Sequence, residues 1–229
     1  MATINTSKAG YIAGRLSNNF TTARQTGSST VTAPSGNEPI AIMYKSTSSR
    51  GSTLHQMYRT FLYFDTSAIQ NSVTSATLSL TGVTNMTADV IVLRSTAFGG
   101  NGNSNLVTGD FYSTVQYNSA YSAEYTGWGG KTGAVSIPLG SGAESDMQNN
   151  SAFICAIVEH DYDYNNTSSG QSLVNHTNGI AFGSNITITY TEAGGGGGPS
   201  IKLNGVDSTN IDKWDGTTWS NISKINGVS

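Results

Sequence analysis

Glu159-His160-Asp161-Tyr162-Asp163-Tyr164 is the densest run of groups able to do chemistry. On an extended chain, alternation puts Glu159, Asp161 and Asp163 on one side, three carboxylates that could share a calcium ion. Calcium usually takes six or more oxygen ligands, and the run leads into Asn165-Asn166-Thr167, so the plainer expectation is a solvated strand end. Paired carboxylates could also hydrolyse a glycosidic bond, but nothing in the sequence places a partner across a cleft. His55, His160 and His176 lack the mutual spacing of a zinc site. There is no Gly-x-Ser-x-Gly elbow and no glycine loop placed to cradle phosphate before a helix. The expectation is a protein without catalytic residues, metal or cofactor.

Tyr112, Tyr117, Tyr121, Tyr125 and Trp128 crowd one region that also holds Asn118 and Gly127. Aromatic faces beside amides can stack on sugar rings, which makes these five the candidate carbohydrate contacts. The competing reading is that some of the rings cover a core or face a protein partner. Arg59 is expected to make a structural ion pair with an acidic loop residue. Cys155 stands alone inside the apolar run Phe153 to Val158, so no internal disulfide can form, and the thiol reads as a small buried hydrophobe.

The elements that would position these groups read as strands. Only 11% of the 229 residues are charged and the net charge is −3, which supplies no basic surface for nucleic acid. Ser, Thr, Asn and Gly carry the polarity, with 11 Tyr, a mixture suited to exposed strand faces and turns. Short β-rich runs occur at Thr60 to Asp65, Thr77 to Thr81, Val90 to Arg94, Ala152 to Glu159 and Asn185 to Thr191. In the last, Ile186, Ile188 and Tyr190 share one face, as Ala76, Leu78 and Leu80 do in another. Phe153 to Val158 is apolar throughout, as a central strand covered on both faces should be. Residues 20–55 and 95–131 read as long functional loops. A short helix could fit at Gly140 to Asn149, with Ser141 capping and Glu144 completing a capping box. The N-terminal residues lack the pattern of a secretory signal, and no apolar stretch reaches membrane-spanning length, so synthesis and folding in the cytoplasm are expected, without membrane partners.

Five glycines and a proline, Gly194 to Pro199, mark a linker. The expected organisation is a sandwich over 1–193, a linker at 194–199 and a module at 200–229. In that module Lys202-Leu203-Asn204-Gly205, Lys213-Trp214-Asp215-Gly216 and Lys224-Ile225-Asn226-Gly227 recur every 11 residues. Asn-Gly and Asp-Gly favour type I′ turns, so each unit predicts a hairpin. So short a module buries too little apolar surface to stand alone, and Ile211, Trp214, Trp219, Ile222 and Ile225 are the expected assembly contacts.

Arg59-Thr60-Phe61-Leu62-Tyr63-Phe64-Asp65-Thr66-Ser67-Ala68-Ile69, followed by Val73-Thr74-Ser75-Ala76-Thr77-Leu78-Ser79-Leu80, resembles the signature of DNRLRE-type domains. There an Arg precedes an apolar strand ending in Phe-Asp, then a Ser-x-Ile segment, then Val-x-Ser-Ala-Thr-Leu. The match covers about 25 residues. It implies an all-β, jelly-roll-like antiparallel sandwich of the kind found in carbohydrate-binding modules of microbial surface proteins. The tail units resemble the Asn-Gly-Val repeats at the ends of bacteriophage tail and fibre proteins. Together these imply a non-enzymatic virion structural protein, as a capsid decoration, tail or fibre component. The expected partners are other virion proteins and further copies of the chain. The alternative is a carbohydrate-binding module that engages a surface glycan.

Overall fold

The computed structural model describes residues 1–32, 36–47, 51–83, 88–126, 128, 132–171, 173–182 and 185–193, together with the pairs 202–203, 206–207, 213–214 and 217–218, with backbone alone at 38–43, at 176–178 and in those last four pairs. In chain order it contains β1 (Ala2–Asn5), β2 (Lys8–Gly14), α1 (Phe20–Gln25), β3 (Gly27–Thr32), β4 (Asn37–Thr47), β5 (Thr53–Asp65), β6 (Val73–Gly82) and β7 (Val90–Ser95). There follow α2 (Asp110–Ser113), β8 (Val115–Ala120), β9 (Gly133–Leu139), α3 (Ser141–Asn149), β10 (Ala152–Glu159), β11 (Leu173–Ala181) and β12 (Thr187–Glu192). Among the described residues, no helix is long and apolar enough to cross a membrane.

The strands pair antiparallel and form an all-β, jelly-roll-like sandwich. One layer runs β3-β2-β5-β10-β7-β8, and the other runs β9-β6-β12-β1. The β4–β11 ladder joins them, pairing with β5 at one side and meeting β6 through Ile180 and Gly82 at the other. β5 is the hinge of this arrangement. Its residues 53–58 pair with β4, whereas 60–65 pair with β10 and 58–63 with β2.

β10 shows why the apolar run is continuous. Phe153, Cys155 and Ile157 face the sandwich interior with Leu62, Phe64 and Val92, and meet Leu78, Ile137 and Ile188 from the other layer. Ile154, Ala156 and Val158 face the opposite way, into a second cluster with Phe61, Leu93, Phe98, Phe111 and Val115. Each fully buried Leu, Ile or Phe contributes about 1.5–3 kcal/mol. A strand apolar on both faces therefore has to be covered twice, and the predicted central strand is. The half-buried strands also fall as their alternation requires, with Ala76, Leu78, Leu80, Ile186, Ile188 and Tyr190 buried.

The two segments read as long loops are instead built into the fold. Residues 20–55 hold α1, β3, β4 and the start of β5, and residues 95–131 supply α2, β8 and five side chains of the second core, Ala97, Phe98, Leu106, Phe111 and Val115. Backbone pairing drives the first, where Ser and Thr blur the alternation, and apolar cover for the outer face of β5, β10 and β7 drives the second. Gly27 permits the close fit, because a Cβ there would lie 2.9 Å from Phe111 Cβ. α3 forms where a helix was expected, but without a capping box. Gly140 occupies the N-cap, and its carbonyl takes the N–H groups of Ala143 and Glu144 at 2.9 and 3.2 Å.

In the tail, β13 (Lys202–Leu203) pairs with β14 (Val206–Asp207), and β15 (Lys213–Trp214) pairs with β16 (Thr217–Thr218). The two hairpins keep the 11-residue spacing of the repeat. The linker at 194–199 and the assembly residues Ile211, Trp219, Ile222 and Ile225 lie outside the described residues, as does the side chain of Trp214.

Candidate functional site

The carboxylates of the 159–164 run do not share a face, because the chain stops being extended at Glu159. His160 to Tyr164 form a single π-helical turn. The buried Glu159 carboxylate accepts the backbone N–H groups of Asp161, Tyr162 and Asp163 at 3.1, 2.8 and 3.0 Å, so it serves as the cap of that turn. The turn then rotates Asp163 into the second core and leaves Asp161 at the surface. The calcium site that alternation would have allowed is thus not assembled, and the solvated strand end expected in its place is not there either, because Glu159 and Asp163 are fully buried.

Asp163 is fully buried against Arg59, also fully buried. Arg59 Nε donates to Oδ2 and Nη2 to Oδ1, each at 2.7 Å, the two-pronged geometry that suits guanidinium and carboxylate. Nη2 also donates to the Arg24 carbonyl at 2.7 Å and Nη1 to the Phe111 carbonyl. Arg24, at the end of α1, donates from Nε to the Asp163 carbonyl at 2.8 Å and lies 3.3 Å from Oδ1. The Tyr117 hydroxyl completes the cluster by donating to Oδ1 at 3.1 Å. Burial, the largest single influence, would lower the Arg59 pKa, but Asp163 together with Tyr117 and Tyr112 holds the group above its ordinary value. Burial pushes the Tyr117 phenol well up. Two guanidinium groups share one carboxylate, and their hydrogen bonds fasten α1, α2, β8 and the turn onto β5. It is the structural ion pair expected of Arg59.

This placement also disperses the proposed sugar platform. Tyr112 and Tyr117 lie against Arg24, whose guanidinium carbon is 5.4 and 4.3 Å from their ring centroids. Tyr121 and Trp128 sit on the other side of the sheet, in the sandwich core, at 4% and 0% exposure. Tyr121 stacks on Phe153 at 4.8 Å and donates to Asp146. Tyr125 is half-buried beside the same core. The five residues do not form one exposed aromatic surface, because apolar cover for the two core clusters claims the rings first.

At the surface the turn meets a neighbour the sequence did not mark. Val90 pairs with Glu159 on one side and exchanges backbone hydrogen bonds with Tyr125 on the other, at 3.2 and 2.7 Å. That brings Glu124 beside His160. Glu124 Oε1 lies 3.2 Å from His160 Nδ1, and Asp161 Oδ1 lies 3.6 Å from the same nitrogen. The three ligating atoms lie within 4.8 Å of one another. The His160 ring stacks on Tyr164 at 5.4 Å, which fixes its plane. Only the contiguous part of this group, His160 and Asp161, was legible as a cluster, since Glu124 arrives through strand pairing.

No protein-family model matches the chain, and no curated protein matches it. The local chemistry therefore stands on geometry alone.

A polar cleft of about 330 Å³ opens near the start of β10, with Arg94, Thr96, Asn101, Asn149 and Asn150 in its wall. Its charges are mutually satisfied, as Arg94 Nε lies 3.1 Å from Asp146 Oδ2. His55 is the other unusual polar group. It is 5% exposed, packs edge-on to Phe20 at 5.7 Å, and neither ring nitrogen has a hydrogen-bond partner among the described residues. Burial lowers its pKa, with Lys45 acting in the same direction.

Proposed function

We propose that the chain is a non-enzymatic structural protein of a bacteriophage virion, a capsid-decoration, tail or fibre component. In this reading the sandwich is a rigid surface domain and the C-terminal repeats provide attachment or oligomer contact. The observation that carries it is the pair of hairpins, β13–β14 and β15–β16, recurring at the 11-residue period with two described residues in each strand. Isolated two-stranded ribbons are marginal in water, so such units gain stability by adding to another sheet or to copies of themselves. The resemblance of the repeats to Asn-Gly-Val units of phage tail and fibre proteins supplies the setting. The uses found for Glu159 and Asp163 support a non-catalytic role, since both carboxylates serve the fold.

The test compares the mass in solution of the full chain with that of a chain ending at Thr191. An oligomer in the first and a monomer in the second are expected. Monomers in both would overturn the reading.

A further inference from the structure

We propose that Glu124, His160 and Asp161 bind a zinc-like divalent cation, which ties the segment before Tyr125 to the turn after β10. Three observations converge. First, the residue types suit the ion, one imidazole nitrogen and two carboxylate oxygens with room for water in a fourth position. Second, the spacing fits at the nitrogen, and the two carboxylate oxygens lie within 4.8 Å of each other, so side-chain rotation can close the set. Ligands about 2.0–2.2 Å from a tetrahedral ion lie about 3.3–3.6 Å from one another. The contacts from His160 Nδ1 are 3.2 Å to Glu124 and 3.6 Å to Asp161.

Third, the Nδ1 atom is buried, in a side chain 17% exposed, and makes no hydrogen bond among the described residues, although two carboxylates approach it. Oxygens gathered around a shared ion stand off the axis of the nitrogen lone pair, where an N–H···O bond is poor and common coordination is good. Stacking on Tyr164 holds the ring in the required orientation. Glu124 and Asp161 side chains are each 39% exposed, so an ion can reach the site from solvent. Calcium is disfavoured because it needs six to eight oxygen ligands, whereas these side chains offer a nitrogen and at most four carboxylate oxygens.

The site cross-links residues far apart in the chain, so occupancy should raise stability as well as register as binding. The full-length protein, stripped of metal with chelator, is titrated with ZnCl2 by calorimetry, and its thermal midpoint is followed with Zn²⁺, Ca²⁺ or Mg²⁺. One Zn²⁺ per chain and a Zn²⁺-specific rise in midpoint are expected. Glu124→Gln and His160→Ala should each weaken binding at least tenfold and abolish the rise, while Glu144→Gln, on α3, should leave both unchanged. Because Glu124 is exposed, Glu124→Gln should keep the far-ultraviolet circular dichroism of the parent, which separates lost binding from lost fold. Absence of Zn²⁺ binding by the folded parent, or binding untouched by Glu124→Gln and His160→Ala, would overturn the proposal.

Discussion

Arg59 meets Asp163 through two parallel hydrogen bonds of 2.7 Å, across 104 residues of sequence and with neither side chain exposed. Removing Asp163 leaves two buried guanidinium groups without a counter-charge, and removing Arg59 leaves the buried Asp163 with Arg24 alone, 3.3 Å from Oδ1. Arg59→Ala and Asp163→Ala should each cost about 3–5 kcal/mol, read from the midpoint of chemical denaturation. Arg59→Lys keeps the charge but loses the fork and the bonds to the Phe111 and Arg24 carbonyls, and should still be clearly destabilising. An Arg59→Lys variant as stable as the parent would show that the fork geometry is immaterial.

His55 gives the protein an acid-sensitive element. Its folded-state pKa lies below the ordinary value of 6.5, mainly through burial, so the unfolded chain takes up the proton first as pH falls. The stability linked to this group is therefore present above pH 6.5 and drains away as pH drops through that value toward the lower folded pKa. Denaturation midpoints measured from pH 7.5 downward should fall more steeply for the parent than for His55→Phe. Parallel curves would contradict this.

Trp128 and Tyr121 should behave as core residues. Trp128→Ala should cost about 3–5 kcal/mol, the range for emptying a large aromatic site. Tyr121→Phe keeps the stack on Phe153 and loses only the bond to the Asp146 carboxylate, so about 1.5–3 kcal/mol is expected. Thermal melts of the two variants, in that rank order, check the assignment.

Cys155 is fully buried, and burial pushes its thiol pKa well above the ordinary 9.0. A disulfide reagent should leave the native protein unmodified and label one thiol per chain in denaturant. Rapid labelling under native conditions would mean that β10 opens far more readily than its packing implies.

Much of the sandwich was legible because periodicity reports burial. Ile186, Ile188 and Tyr190 alternate because one face of β12 is wet, and Phe153 to Val158 do not because β10 has no wet face. β5 was visible only from Thr60 onward. Its first half is polar and mixed, and it is held by the ladder to β4, a partner that composition does not announce. The carboxylates misled for a related reason. Alternation past Glu159 assumed a continuing strand, but the Glu159 side chain satisfies three N–H groups and so ends it. The aromatic cluster misled because a stretch rich in Tyr does not say which side of a sheet each ring will reach. Arg24 and Asp163, meeting across 139 residues, could not have been paired from local sequence at all.

β5 lies in one layer and also anchors the ladder that leads to the other, its early residues pairing with β4 and its later ones with β2 and β10. Neither half of the barrel-like body can therefore melt while the other stays intact. Under load, whether from a neighbouring subunit or from solvent, the domain should yield in one event, with Thr53–Asp65 among the last amides to exchange with deuterium.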